Sequence, residues 1–307
     1  MKHLTVISPC FNEAENIPKL ISQTKKVLSQ ISSDYQHIIV DNGSTDGTLP
    51  LLLNQKQKQP HLYIISLSRN FGYQGALQCG LDQADAKYVG IMDGDLQDPP
   101  KVFVRMYQTL TKHKLDFVYG VKSSRNENWF KNWCYYFFYR IWSHISEINI
   151  PLDAGEFCLM TRSTAKLLAD MPERNKFLRG LRAWIGYKST GITYARQKRY
   201  AGRSKFSFYN SITFALDAIF PFSKAPARLS LLFGLVFGMV ASLLLLVIIY
   251  LYIFTDIFVP GYASLVSLFL FTQSANFIIL GILGEYLIRS YEETKNRPRY
   301  LIQQQFK

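Results

Sequence analysis

Between Leu229 and Phe254 the chain reads LSLLFGLVFGMVASLLLLVIIYLYIF, without one charged residue. A helix of roughly 20 apolar residues spans the hydrocarbon core of a bilayer, so this run is long enough to cross with some tilt. A buried helix of a soluble protein rarely runs so far without charge. A second apolar stretch, Ala263–Ile288, is more polar, with Thr272, Gln273, Ser274, Asn276 and Glu285. Polar groups in a span usually face another helix, and Gly281 and Gly284 permit close packing. The linker TDIFVPGYAS holds Asp256 and no Lys or Arg, whereas Lys224, Arg228, Arg289, Lys295, Arg297 and Arg299 flank the outer sides. The positive-inside bias therefore predicts a two-helix transmembrane hairpin with both termini in the cytoplasm. The domain plan that follows is a cytosolic domain over 1–205, a juxtamembrane amphipathic segment over 206–228, spans at 229–254 and 263–288, and a basic cytosolic tail over 289–307.

The cytosolic part alternates strand and helix. LTVISP (Leu4–Pro9), HIIVD (His37–Asp41), LYIISL (Leu62–Leu67) and YVGIMD (Tyr88–Asp93) are apolar runs of strand length. Between them lie helical stretches, beginning with NEAENIPKLISQTKKVLSQI. All-apolar strands alternating with helices predict an α/β fold with a doubly wound, mostly parallel sheet. Such sheets bind ligands beyond the carboxyl ends of their strands. Polar clusters stand at those ends: Pro9–Glu13, Asp41–Asp46, Ser68–Gly72 and Asp93–Pro100. The N-terminus enters strand-like sequence at once, so no cleaved signal peptide is expected. The four scattered cysteines have neither metal-site nor disulfide spacing and read as reduced thiols. With 48% hydrophobic residues, disorder is excluded as a whole-chain description. The 35 Lys+Arg against 22 Asp+Glu, net +13, favour an anionic partner. The charge clusters beside the apolar runs and no nucleic-acid motif is present, so phosphates or acidic lipid are expected rather than nucleic acid.

The sharpest chemical signal is Asp93-Gly94-Asp95-Leu96-Gln97-Asp98-Pro99-Pro100, directly after an apolar strand. Carboxylates two residues apart share a divalent cation where the chain turns, and oxygen ligands suit Mg²⁺ or Mn²⁺, which in turn bridge a nucleotide's phosphates. Asp41 ends the second strand, placed to accept hydrogen bonds from a base NH. Asn42-Gly43-Ser44-Thr45-Asp46 reads as a turn with Asp46 or Ser44 capping the next helix. Arg196, Lys198, Arg199, Arg203 and Lys205 are five cations in ten residues, suited to phosphates or anionic headgroups. Arg125, Arg162 and Arg179 are further phosphate candidates. Trp129–Trp142 holds nine aromatics in fourteen residues, and Phe206–Phe222 is similarly aromatic; both suit the headgroup level.

The segments SPCFNEAENI, VDNGSTDGT, LSRNFGYQGAL, IMDGDLQDPP, AGEFCLMTR, FLRGLRAWIGY and RYAGRSKF, with the two spans, together resemble the family 2 inverting glycosyltransferases of GT-A fold. The similarity covers nearly the whole chain. It is to the polyprenyl-phosphate branch: dolichyl-phosphate mannose synthases and bacterial undecaprenyl-phosphate glucosyltransferases. The resemblance implies a GT-A sheet with flanking helices, followed by interfacial helices and the hairpin. It puts Pro9, Asn12, Glu13, Asp41, Arg69, Asn70 and Asp93 around a nucleotide sugar, and Asp93, Asp95 and Gln97 around the metal. Asp153 and Glu156 approach sugar and acceptor beside Asp95. Arg125, Arg179, Arg199, Gly202, Ser204 and Lys205 bind phosphates of donor or acceptor. Three departures stand out: the family more often has Asp at Asn42, Asp at Glu156 and Arg at Cys158.

The activity so implied is transfer of a sugar, glucose from UDP-glucose as first choice, to undecaprenyl or another polyprenyl phosphate. The product would serve modification of cell-envelope glycans such as lipopolysaccharide, and the enzyme would sit in the bacterial inner membrane, self-associated. A processive polysaccharide synthase is the less favoured alternative, because no QxxRW signature is present. A non-catalytic nucleotide-sugar-binding scaffold is the other alternative.

Overall fold

The computed structural model describes residues 1–123, 154–173, 176–197 and 261–307, together with scattered helical positions between 233 and 254. The chain divides into two compact units, one of Met1–Ser143, Ile148–Ala218 and Arg297–Lys307, the other of His144–Glu147 and Ile219–Asn296.

The first unit is built on an eight-stranded sheet. Its strands are β1 (Lys2–Cys10), β2 (Tyr35–Asp41), β3 (Leu62–Leu67), β4 (Ala86–Ile91), β5 (Phe117–Lys122), β6 (Ala154–Thr161), β7 (Ser189–Tyr194) and β8 (Ile302–Phe306). The helices between them are α1 (Ile17–Ile31), α2 (Thr48–Lys58), α3 (Gly72–Gln83), α4 (Val102–Lys112), α5 (Arg162–Asp170) and α6 (Leu178–Trp184). The sheet order is β7-β5-β6-β4-β1-β2-β3-β8. The pairs β1–β2, β1–β4, β2–β3 and β5–β7 are parallel. The pairs β3–β8, β4–β6 and β5–β6 are antiparallel. The sheet is therefore mixed, more so than the apolar strands alone suggest.

The central strands are buried on both faces, which is why they read as continuous apolar runs. Helix α1 buries Ile17, Leu20, Ile21, Thr24, Val27 and Leu28, spaced along one face. It starts at Ile17, with Pro18 in its first turn, so the expected helical stretch loses residues 12–16 to a loop. Helix α4 buries Val102, Phe103, Met106 and Leu110, and the Phe103 ring meets Phe157 of β6 with centroids 5.0 Å apart.

Direction decides where the site lies. Strands β1 to β4 are parallel, and β5 runs with β4 because two antiparallel pairings separate them. The carboxyl ends of β1, β2, β3, β4, β5 and β7, and the amino end of β6, therefore share one rim.

Within the expected basic tail, Ile302–Phe306 form β8, which closes the β3 edge. In the second unit, α7 (Tyr262–Thr294) runs two turns past the expected span end at Ile288. Its segment Phe271–Thr294, mean hydropathy 1.3, is the one described helix long and apolar enough to cross a membrane. Glu285 and Arg289 within it pair at 2.7 Å. The first expected span is described only at scattered positions. The segments 129–142 and 206–228 lie outside the described residues, so the hairpin stays a proposal.

Candidate active site

The rim is assembled by hydrogen bonds between successive loops. After β1, Asn12 takes a left-handed conformation, φ 52°, that an Asn tolerates. Its amide N–H donates to Ser44 Oγ at 2.9 Å and its Oδ1 accepts from Thr45 N at 2.8 Å. Glu13 N–H donates to Thr48 Oγ1 at 2.9 Å. Asp46 Oδ1 accepts from Thr48 N at 2.9 Å, but the N-cap of α2 is Gly47, so neither Asp46 nor Ser44 occupies the capping position. Gly43, φ 69°, has no room for a side chain: a Cβ would lie 2.5 Å from the Arg69 backbone.

Asp41 is buried at the end of β2. Its carboxylate accepts from Ser44 N and from Ser66 Oγ, each at 3.3 Å. Burial raises its pKa, against those hydrogen bonds. Asn42, where the resemblance leads one to expect Asp, is also buried and ties the second loop to the third. Its Nδ2 donates to Asn70 Oδ1 and Gly72 O, both at 3.0 Å, and its Oδ1 accepts from Phe71 N at 2.9 Å. Arg69 lies with its guanidinium 4.2 Å from the Phe71 ring centroid. Pro9 sits within β1, opposite Val40.

The acid motif follows β4. Strand β4 ends at Ile91, so Asp93 and Asp95 stand on the turn and not in the strand. Leu96 adopts φ 60°, and Gln97 N–H donates back to Asp95 Oδ1 at 3.1 Å. Gly94 lets the turn approach β1, since a Cβ there would meet Cys10 Sγ at 2.5 Å. Tyr73, in the first turn of α3, donates its hydroxyl to Asp93 Oδ1. Burial, then the charges of Asp98 and Asp95, push the Asp93 carboxyl up to about 7. Asp98 is buried and accepts from Tyr194 OH. Lys122, at the carboxyl end of β5, has its pKa lowered by burial and by Arg196, with Asp98 and Asp93 opposing.

Three carboxylates crowd one turn, two of them buried; burial and its acidic neighbours leave Asp93 about half protonated at neutrality, an effect that Lys122 offsets only in part. Two-residue spacing, oxygen donors and excess negative charge fit a divalent cation such as Mg²⁺ or Mn²⁺. Among the described residues no three His, Cys, Asp or Glu side chains form a closed metal cage. Mg²⁺ is commonly held by one or two carboxylates plus substrate phosphates, the part Asp93 and Asp95 would play.

Glu156, near the amino end of β6, is brought to the same rim. Its Oε1 accepts from Gln74 Nε2 at 3.4 Å and from Arg179 N at 3.3 Å. Arg179 turns its guanidinium to Ala154 O, 2.8 Å, and to the Phe177 ring, so it braces β6. Arg162 is placed elsewhere: it pairs with Asp85, just ahead of β4, at the opposite rim of the sheet. Its position at the start of α5, after an antiparallel strand, is what removes it from the phosphate candidates. Asp153, Arg125, Arg199, Gly202, Ser204 and Lys205 lie outside the described residues. A cavity of about 120 Å³ lies between α6 and the sheet, lined by Tyr119, Arg179, Arg182 and Tyr187 among others. Asp93 and Asp95 are not in its lining.

Tyr73, Gln74, Lys122, Arg182 and Tyr194 belong to this region and were not singled out by sequence. Lys122 carries the plainest signal, a cation ending an apolar strand. The others depend on antiparallel pairing or on helix packing that no local pattern announces.

A family model described as glycosyl transferase family 2 matches residues 5–168. An uncharacterised glycosyltransferase of Synechocystis sp. is 36% identical over 300 residues, covering 97% of this chain and 94% of that protein. A prophage bactoprenol glucosyl transferase homolog of Escherichia coli is 33% identical over 300 residues, covering 97% of this chain and 98% of that protein. Among solved structures, a mannosyltransferase of Pyrobaculum calidifontis in complex with GDP-Man and Mn²⁺ is similar at a TM-score of 0.44 and 21% identity, over 65% of this chain and 58% of that one.

Proposed function

This chain belongs to glycosyl transferase family 2 and is a glycosyltransferase; from that premise we propose that it transfers glucose from UDP-glucose to a polyprenyl phosphate at a membrane. The observation that carries the reading is the convergence of the first four loops, through Asn12, Asn42 and Tyr73, onto the Asp93–Asp98 turn. The lipid acceptor is supported by full-length similarity to a protein named for bactoprenol glucosyl transfer.

In the proposed reaction a phosphate oxygen of the lipid bonds to the anomeric carbon of the sugar. The bond from that carbon to the nucleotide's terminal phosphate oxygen breaks, and the nucleoside diphosphate leaves with the electron pair. Attack from the opposite side inverts the configuration. A phosphate monoester has a second pKa of about 6, so the nucleophile is already largely an anion and needs little help from a base. The main obstacle is bringing two anions together. A divalent cation held by Asp93 and Asp95, with Gln97, would supply neutralising charge for the leaving diphosphate. Asp41 would accept from the base and Arg69 and Asn70 would lie along the ribose and phosphates. Lys122 and Arg196 would meet phosphate charge. Asp153 would approach sugar and acceptor, and Arg125, Arg199, Gly202, Ser204 and Lys205 would bind phosphates of donor or acceptor.

The test uses the full chain, purified in detergent, with labelled UDP-glucose, undecaprenyl phosphate and Mn²⁺ or Mg²⁺. Labelled lipid is the expected product. If no lipid-linked sugar forms with any common nucleotide sugar, the reading is wrong. Label appearing with UDP-GlcNAc or GDP-mannose instead would keep the reaction and change the donor.

A further inference from the structure

Arg182 of α6 is buried against β6, with 4% of its side chain exposed. Its Nη2 donates to Gly155 O at 2.6 Å and lies 3.6 Å from Glu156 Oε2. Its Nη1 approaches Glu156 O at 3.5 Å, with Cys158 of β6 nearby. The other Glu156 oxygen is committed to Gln74 and Arg179 N. Oε2 is buried and has no hydrogen-bond partner among the described residues. One cation is thus placed beside the uncommitted oxygen of a carboxylate whose neighbour Gln74 adjoins Tyr73, the residue that holds Asp93.

Stability alone does not explain such a pair. Burying two charges is often no better than burying apolar groups of the same volume. The geometry buys orientation instead: the guanidinium grips two consecutive carbonyls of β6 and leaves Oε2 in reach but unbonded.

We infer that Arg182 is a positioning residue for the proposed transfer, holding the Glu156 carboxylate from behind the rim, beside Gln74 and the neighbouring Tyr73 that contacts Asp93. The inference rests on the transferase reading above. It also accounts for Cys158. Arg182 lies beside both Glu156 and Cys158, so a guanidinium delivered along α6 from position 182 reaches the carboxylate that one delivered from position 158 would reach.

The test is a rescue. The wild type, Arg182→Ala, Arg182→Lys and the double variant Cys158→Arg/Arg182→Ala are compared for kcat, donor KM and Tm. Arg182→Ala is expected to lose about 30-fold in kcat with donor KM changed less than about threefold, as for a group acting on the transition state. Arg182→Lys keeps the charge, loses the planar fork, and is expected to fold and to fall about tenfold in kcat. The double variant places an Arg in the space vacated by Arg182 and is expected to recover kcat to within about fivefold of wild type. If Arg182→Ala does not fold, Arg182→Lys and the double variant decide. If kcat falls and recovers only in step with Tm across the variants, Arg182 is merely structural and the inference is overturned, as it is by single variants with unchanged kcat. A wild type inactive with every donor takes down the transferase reading and this inference with it; an active wild type with indifferent variants takes down the inference alone.

Discussion

Asp93 carries a charge conflict that the rest of the rim is arranged around. Burial and two neighbouring carboxylates raise its pKa to about 7, so the folded state holds this proton more tightly than the unfolded chain does. The sign follows: between roughly pH 4 and 7 the folded state binds more protons here, and stability falls as pH rises through that window. In EDTA, the wild-type Tm should decline from pH 5 to 7.5 more than that of Asp93→Asn, and Mn²⁺ should restore part of the loss in the wild type only. A thermal-shift series over pH with and without Mn²⁺ reads this directly, and Asp93→Asn should turn over no donor. Gly43 gives a second prediction at this scale. Gly43→Ala forces a Cβ into the Arg69 backbone at a left-handed φ, and should cost about 1–3 kcal/mol in urea unfolding or more if the loop cannot shift.

At the scale of elements, the C-terminal strand is the main addition to what the sequence suggested. Before β8, Arg299 donates to Met171 O and Pro172 O, and Tyr300 OH to Asp82 at 2.7 Å. Gln78 joins Asp82 to Ala169 O, and Lys176 caps the end of α5 at Leu168 O and Ala169 O. Burial lowers the Lys176 pKa to about 8. These contacts fasten the last residues to α3, the helix whose first turn carries Tyr73 and Gln74 into the site. Deleting 301–307 uncovers the hydrogen-bonding edge of β3 and frees Tyr63 OH from Gln305. Such a chain should lose several degrees of Tm and aggregate at concentrations where the full chain does not, measured by thermal unfolding with light scattering. The strand was not legible beforehand because IQQQF has one apolar residue at each end and no alternation of its own. Its pairing with β3, far away in sequence, makes it a strand.

For the whole molecule, the pairing of β8 with β3 bears on the membrane. Strands β1 to β7, which end at Tyr194, and β8, which begins at Ile302, belong to one sheet. A folded sheet lies on one side of a bilayer, so the number of crossings between them is even. If α7 crosses, a second crossing must precede it, and the uncharged run 229–254 is the segment long enough to supply one. On this proposed topology a single cysteine at Asp256, in an otherwise cysteine-free chain, should react with a membrane-impermeant maleimide from outside intact cells. A cysteine at Gln304 should react only after lysis; equal labelling of both in intact cells would contradict the hairpin.

Local order in the sequence determined the central strands, the amphipathic helices and the positions of Pro9–Glu13, Asp41–Asp46 and Asp93–Pro100 on one rim. Each depends on periodicity or turn chemistry within a few residues, and parallel strands fix their shared direction. Which side chains meet there was decided by tertiary structure alone. Arg182 beside Glu156, Tyr73 on Asp93, Tyr194 on Asp98 and β8 along β3 each join segments at least 20 residues apart, through packing and antiparallel register. Arg162 and Arg182 look alike as cations in sequence, yet one lies at the opposite rim and the other is buried behind the site. The reason is that charge declares a need for a partner, while only the path of the strands and helices supplies one.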